Sequence, residues 1–217
     1  MIDNKKMETS IIASFFVALI SVVNPIGALP MFMALTQNLS ETQRKSMVRS
    51  CSFAVFITLV TSLFLGEKIL IFFGISIASF TVGGGILIFS MATSMINAKD
   101  VESKLTQDEV DDDEIREIGI VPLAIPLLAG PGAISTTIIY AQKIQNPLEL
   151  TLVIPILFLS ALCIYLILIN ASRISAKMGT LGVNVMTRIM GLILLAMSIQ
   201  MMTHGLSDIL PILKAKL

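Results

Sequence analysis

The stretch Asn24-Pro25-Ile26-Gly27-Ala28-Leu29-Pro30 decides how this chain is read. It lies inside an apolar run from about Ser10 to Thr36 and carries residues that interrupt a helix. Proline removes a backbone donor and clashes with the preceding turn, and glycine admits backbone angles that other residues avoid. A second such stretch, Ala129-Gly130-Pro131-Gly132-Ala133-Ile134-Ser135-Thr136, interrupts the apolar run from about Ile118 to Ala141. In lipid an unpaired amide or carbonyl is costly, so non-helical backbone survives there only where protein covers it or it lines a wet cavity. Paired interruptions in matching halves of a membrane protein point to a transport site.

Composition places the chain in a membrane. Its 217 residues are 55% hydrophobic and 14% charged, with a mean hydropathy of +0.88. A soluble domain carries about 25% charged residues. The net charge of zero excludes a strongly basic nucleic-acid surface. Cys51 and Cys163 lie in apolar runs without CxxC spacing and read as small buried hydrophobes. Lys5 and Lys6 precede the first apolar run, but no small-x-small cleavage site follows. That run is therefore expected to be a retained first span rather than a signal peptide.

A bilayer core takes about 20 apolar residues per helix. Six runs qualify, at about Ser10–Thr36, Met47–Leu65, Ile69–Ile96, Ile118–Ala141, Leu150–Asn170 and Gly182–Met202. The hydrophilic connection Asn97–Glu117, rich in Asp108, Glu109, Asp111, Asp112, Asp113 and Glu114, divides them into two groups of three. It lacks the glycine turn and ligand spacing of a Ca²⁺ loop and reads as a solvated linker. At an offset of about 106 the halves resemble each other. Pro25 meets Pro131, Gly27 meets Ala133, Gly74 meets Gly182, Ser79 meets Thr187, Gly83 meets Gly191 and Ser90 meets Ser198. An odd number of spans per half inverts the second copy.

The expected fold is therefore an all-α integral membrane protein with six transmembrane helices. They form two inverted three-helix repeats, and the first and fourth helices are broken mid-membrane. It is a single membrane domain over 1–217, with repeat one at about 10–98, the linker at about 97–117 and repeat two at about 118–206. Short-loop Lys and Arg set orientation. Arg44, Lys45, Arg49, Lys99, Lys104, Arg116, Arg173 and Lys177 outnumber Lys5, Lys6, Lys68, Lys143, Lys214 and Lys216, which puts both termini outside.

From Ile11, roughly thirteen residues at about 1.5 Å each carry Asn24 about 20 Å into a core about 30 Å thick. Two half-helix ends would meet there. Free amides at a half-helix N-terminus favour a carboxylate, and free carbonyls at a C-terminus favour an ammonium group or a cation. A zwitterionic amino acid carries both charges. The expected substrate-binding residues are Asn24, Pro25, Gly27, Pro30, Gly130, Pro131, Gly132, Ser135 and Thr136. Ser79, Gly83, Gly84, Thr187 and Gly191 are expected in helix packing or a cavity wall. Arg188, about 9 Å inside the sixth span, and Glu67, at the end of the second, are candidates for a charge or gating role. The methionines read as packing filler. His204 reads as an interfacial or capping residue.

Three strings carry a family resemblance: Asn24-Pro25-Ile26-Gly27 with Pro30-Met31-Phe32, Pro126 through Ser135, and Thr187-Arg188-Ile189-Met190-Gly191-Leu192. By these the chain resembles the MarC family of bacterial inner-membrane proteins, UPF0056-like and also grouped as SnatA-type small neutral amino-acid transporters. The resemblance covers nearly the whole chain. It implies six spans in the inner membrane and, by analogy with some relatives, carriage of glycine, alanine or threonine.

The expected function is a secondary transporter of a small neutral amino acid or similar polar solute, working by alternating access. The alternative is a non-transporting membrane scaffold or regulatory protein of that family. With one histidine and no HExxH or GxSxG, an enzyme is not expected. The partners expected are the lipid bilayer and a small-molecule substrate, with no nucleic acid. No cofactor or metal is expected. Coupling to H⁺ or Na⁺, the direction of transport and a homo-oligomer all stay open.

Overall fold

The computed structural model describes residues 14–36, 39–97, 115, 117, 119–144 and 150–210. The acidic run of the linker, and Lys5, Lys6, Lys99, Lys104, Arg116, Lys214 and Lys216, lie outside the described residues.

The described residues fold as helices. α1 is Ser14–Val23 and α2 is Leu29–Thr36, with the first break between them. α3, Glu41–Phe72, is long and apolar enough to cross a membrane, and so is α4, Ile77–Ile96. An irregular stretch, Gly119–Leu128, leads into α5, Pro131–Gln142, with a bend of 58°. α6, Ile154–Ile169, bends by 41° into α7, Ala171–Gly179, and α8, Leu181–Ile209, is a third helix of spanning length.

Local chemistry sets these boundaries. Ser40 starts α3 with a capping box: its side chain accepts from the Gln43 amide, and its own amide donates to the Gln43 side chain. α3 stops at Gly74, which adopts φ +65°. The Ile75 amide reaches the Leu70 carbonyl and the Gly74 amide reaches that of Ile71, closing the last turn. The expected third span, Ile69–Ile96, is thus corrected. Ile69–Phe72 ends α3, and Ser76 caps a new helix by accepting from the Ser79 amide. Gly179, at φ +68°, likewise parts α7 from α8.

The first half of the fourth run is less regular than expected. Val121 and Ile125 adopt extended angles, because each precedes a proline, whose ring disfavours helical backbone one residue earlier.

α3 buries Met47, Val48, Cys51, Val55 and Leu59 along one face. It packs on α6, where the Phe56 and Phe158 rings meet edge to face with centroids 6.0 Å apart. α4 and α8 run antiparallel at glycine contacts. Gly85 faces Met202 and the Ser198 carbonyl, Gly205 faces Val82 and the Ala78 carbonyl, and Gly191 faces Met95 and Ile96. Cys51 is buried and Cys163 half-buried, both free thiols. The outer surface exposes Phe53, Leu87, Phe158, Ile189 and Leu192. Large apolar side chains exposed on α3, α4, α6 and α8 alike fit a lipid environment.

Candidate functional site

The break after α1 is built around Asn24, whose φ of 45° is left-handed. Asparagine tolerates that region better than most residues because its short polar side chain bonds locally. Here the Gly27 amide donates to Asn24 Oδ1 at 3.1 Å. The Asn24 amide still donates to Ile20 and its carbonyl accepts from Ala28, so the residue closes α1 and begins the turn. A Cβ at Gly27 would lie 2.4 Å from Asn24 Nδ2. Only glycine lets the side chain fold over the backbone here.

The second break falls at Ala129-Gly130. A Cβ at Gly130 would lie 2.1 Å from the Pro126 carbonyl oxygen, so glycine is required by close backbone approach. Pro131 opens α5 at the position where a missing N–H costs nothing. No side chain caps this helix start. The amides of Gly132 and Ala133 belong to the first turn, which has no intrahelical acceptor.

The two breaks adjoin. The Phe15 and Tyr140 ring centroids are 4.5 Å apart, and a Cβ at Gly132 would lie 2.9 Å from Val22, so α1 runs antiparallel to α5. Between them lies a cavity of about 30 Å³, lined from the first break by Val22, Val23, Asn24, Gly27 and Ala28. The second break contributes Gly130, Gly132 and Ala133, and Ile88, Leu194, Met197 and Met201 close the walls. A water needs roughly 10–15 Å³ of such space, so the cavity has room for about two waters. The C-terminal end of α1 brings partial negative charge to it and the N-terminal end of α5 partial positive charge.

Of the expected binding residues, Asn24, Gly27, Gly130 and Gly132 line the cavity. Pro25, Pro30 and Pro131 are buried and shape the turns without lining it. Ser135 is buried and bonds Thr81 on α4 at 3.1 Å, which joins α5 to α4. Thr136 also lies off the cavity. Gly84 packs on Pro131 and Gly191 on α4, as helix-packing residues, whereas Gly83 faces open space. Ser79 belongs to the cap of α4, its hydroxyl accepting from Ser76. The Thr187 hydroxyl donates to the Val183 carbonyl within α8. Arg188 is exposed on α8, away from the cavity. Glu67 accepts from Gln142 at 2.8 Å, which ties the end of α5 to α3. The apolar lining from α8 carried no sequence signal beyond the spacing of Met197 and Met201, which also suits ordinary packing.

These features define an integral membrane protein, all-helical over its described residues, with two interrupted helices meeting at one cavity. The model of the MarC family integral membrane protein matches residues 9–210, and the chain belongs to that family. It is 40% identical over 205 residues to a UPF0056 membrane protein of Buchnera aphidicola, covering 94% of this chain and 95% of that one. It is 40% identical over 198 residues to the UPF0056 membrane protein YhcE of Escherichia coli, covering 91% and 92%. A UPF0056 membrane protein of Pyrococcus abyssi is 37% identical over 194 residues, covering 89% and 93%. No solved structure matches.

Proposed function

We propose that this protein is a secondary transporter of a small neutral amino acid or a similar small polar solute, working by alternating access in the bacterial inner membrane. The observation that carries the reading is the shared cavity: Asn24 and Gly27 from one break and Gly130 and Gly132 from the other line a single hollow. Amides of α5 suit the solute's carboxylate and carbonyls of α1 its ammonium group. Asn24 Nδ2 adds a neutral donor, since its Oδ1 is taken by Gly27.

The architecture in this reading is six spans in two inverted repeats. Support comes from matching contacts. α4 and α8, the last span of each half, cross antiparallel, as inversion requires. α3 packs on α6. The second half of each broken span packs across the divide, α5 on α4 and α2 on the α7–α8 stretch. Rocking of the repeats would open the closed cavity to either side. Arg44, Lys45 and Arg173 share one end of the molecule, while Lys68 and Lys143 adjoin the Glu67–Gln142 contact. That segregation fits both termini outside.

The test is uptake by proteoliposomes across the amino acids, with and without Na⁺ and pH gradients. At least one small neutral amino acid should accumulate. Absence of flux for all of them would overturn the reading and leave the non-transporting scaffold.

A further inference from the structure

At one end of the molecule, the first turn of α3 faces the junction of α6 and α7 across a cavity of about 560 Å³. Its walls carry Arg44, Lys45 and Arg173, with Asn170, Ser172 and one acid, Glu41. Three cations against one carboxylate leave an excess of positive charge. Lys45 Nζ pairs with Glu41 at 2.7 Å, and Arg44 and Arg173 act on the same carboxylate.

Arg44 holds the wall together. One terminal nitrogen of its guanidinium donates to Ser172 Oγ. The other donates to the carbonyls of Thr36 at 3.1 Å and Leu39 at 3.5 Å, where the end of α2 offers negative charge. Its Nε is buried without a partner. Arg173 donates one nitrogen to Asn170 Oδ1 at 2.9 Å; both it and Lys45 are exposed to the cavity. The cluster sits at the start of α3 and at the junction of α6 and α7, ends of apolar helices, and with those helices in a bilayer it would lie near the headgroups. Basic pockets between such helices suit phosphate headgroups.

We propose that this cavity is an anion site that takes a phosphate group, bound by Lys45 and Arg173 on a wall positioned by Arg44, with Glu41 as the internal competitor. The phosphate belongs to an anionic lipid or is free in solution, and the binding chemistry is the same. The site is separate from the break cavity and does not depend on transport.

The experiment titrates the full chain in neutral detergent with phosphatidylglycerol, with inorganic phosphate and with phosphatidylcholine, at constant ionic strength, and reads the thermal unfolding midpoint. Phosphatidylglycerol, inorganic phosphate or both should raise the midpoint while phosphatidylcholine does not. A response to phosphatidylglycerol alone assigns a lipid, and a response to inorganic phosphate assigns a soluble ligand. The Lys45→Gln/Arg173→Gln pair should weaken the response about 30-fold, at about 1 kcal/mol per cation. Glu41→Gln should strengthen it, which a merely structural role for the acid would not do. No shift with either phosphate source, or a wild-type response from the double variant, overturns the proposal.

Discussion

Gly84 of α4 rests directly on the ring of Pro131, and a Cβ at Gly84 would lie 2.1 Å from the proline Cγ. The contact presses α4 against the start of α5 and so fixes the second break. Next to it, Gly83 has nothing within 4 Å of its Cβ position. The two glycines should therefore respond oppositely to the same change. Gly84→Ala should lose about 1–3 kcal/mol, because a proline ring cannot swing aside. Gly83→Ala should be neutral or gain up to about 1 kcal/mol of helix propensity. Unfolding midpoints in detergent check this, and equal effects at the two sites would contradict it.

Asn24 combines a left-handed backbone with a side-chain bond to the Gly27 amide. Asn24→Ala loses the bond and strains the backbone, at a cost of about 2 kcal/mol. Asn24→Gly loses only the bond and should cost roughly half as much. The ranking is read from unfolding midpoints of the two variants, and Ala equal to or better than Gly would refute this account of the turn.

Arg44 spans the Thr36 carbonyl at the end of α2, the Leu39 carbonyl just beyond it and the Ser172 hydroxyl. Lysine is a point charge and lacks the planar fork. Arg44→Lys should then lose most of what Arg44→Gln loses, about 1–3 kcal/mol by midpoint. Full rescue by lysine would mean that charge alone matters here.

These residues also mark how far the sequence could be read. The breaks were legible because helix-breaking residues cluster at matching points of two apolar runs, whereas a single proline or glycine is tolerated in a membrane helix. The long apolar helices were legible from composition. Less visible was the irregular run before α5, although Pro122 and Pro126 stand in it. Arg44 looked like an ordinary loop cation, since its role depends on Ser172, 128 positions away. Ser135 looked like a ligand group, but its partner Thr81 lies on α4 and no local pattern announces it. Gly83, Gly84 and Gly85 are indistinguishable as letters, and only the helix phase shows that Gly84 and Gly85 pack while Gly83 does not.

The Glu67–Gln142 hydrogen bond joins α3 to the end of α5 at an exposed site. A double-mutant cycle with Glu67→Ala and Gln142→Ala should give a coupling of about 0.2–1 kcal/mol on stability. The same variants should leave membrane insertion unchanged. A coupling of zero would mean that this contact does not hold α5 to α3.

The shared cavity is tested most directly by flux through Gly132→Leu. Its Cβ would already lie 2.9 Å from Val22 and 3.4 Å from Met201, so the leucine side chain would more than fill a space of about 30 Å³. Proteoliposomes carrying the unaltered protein should exchange labelled glycine, alanine or threonine. Those carrying equal amounts of correctly inserted Gly132→Leu should show no flux above empty vesicles. Exchange at the unaltered rate with the cavity filled would contradict the claim that solute passes between the two breaks.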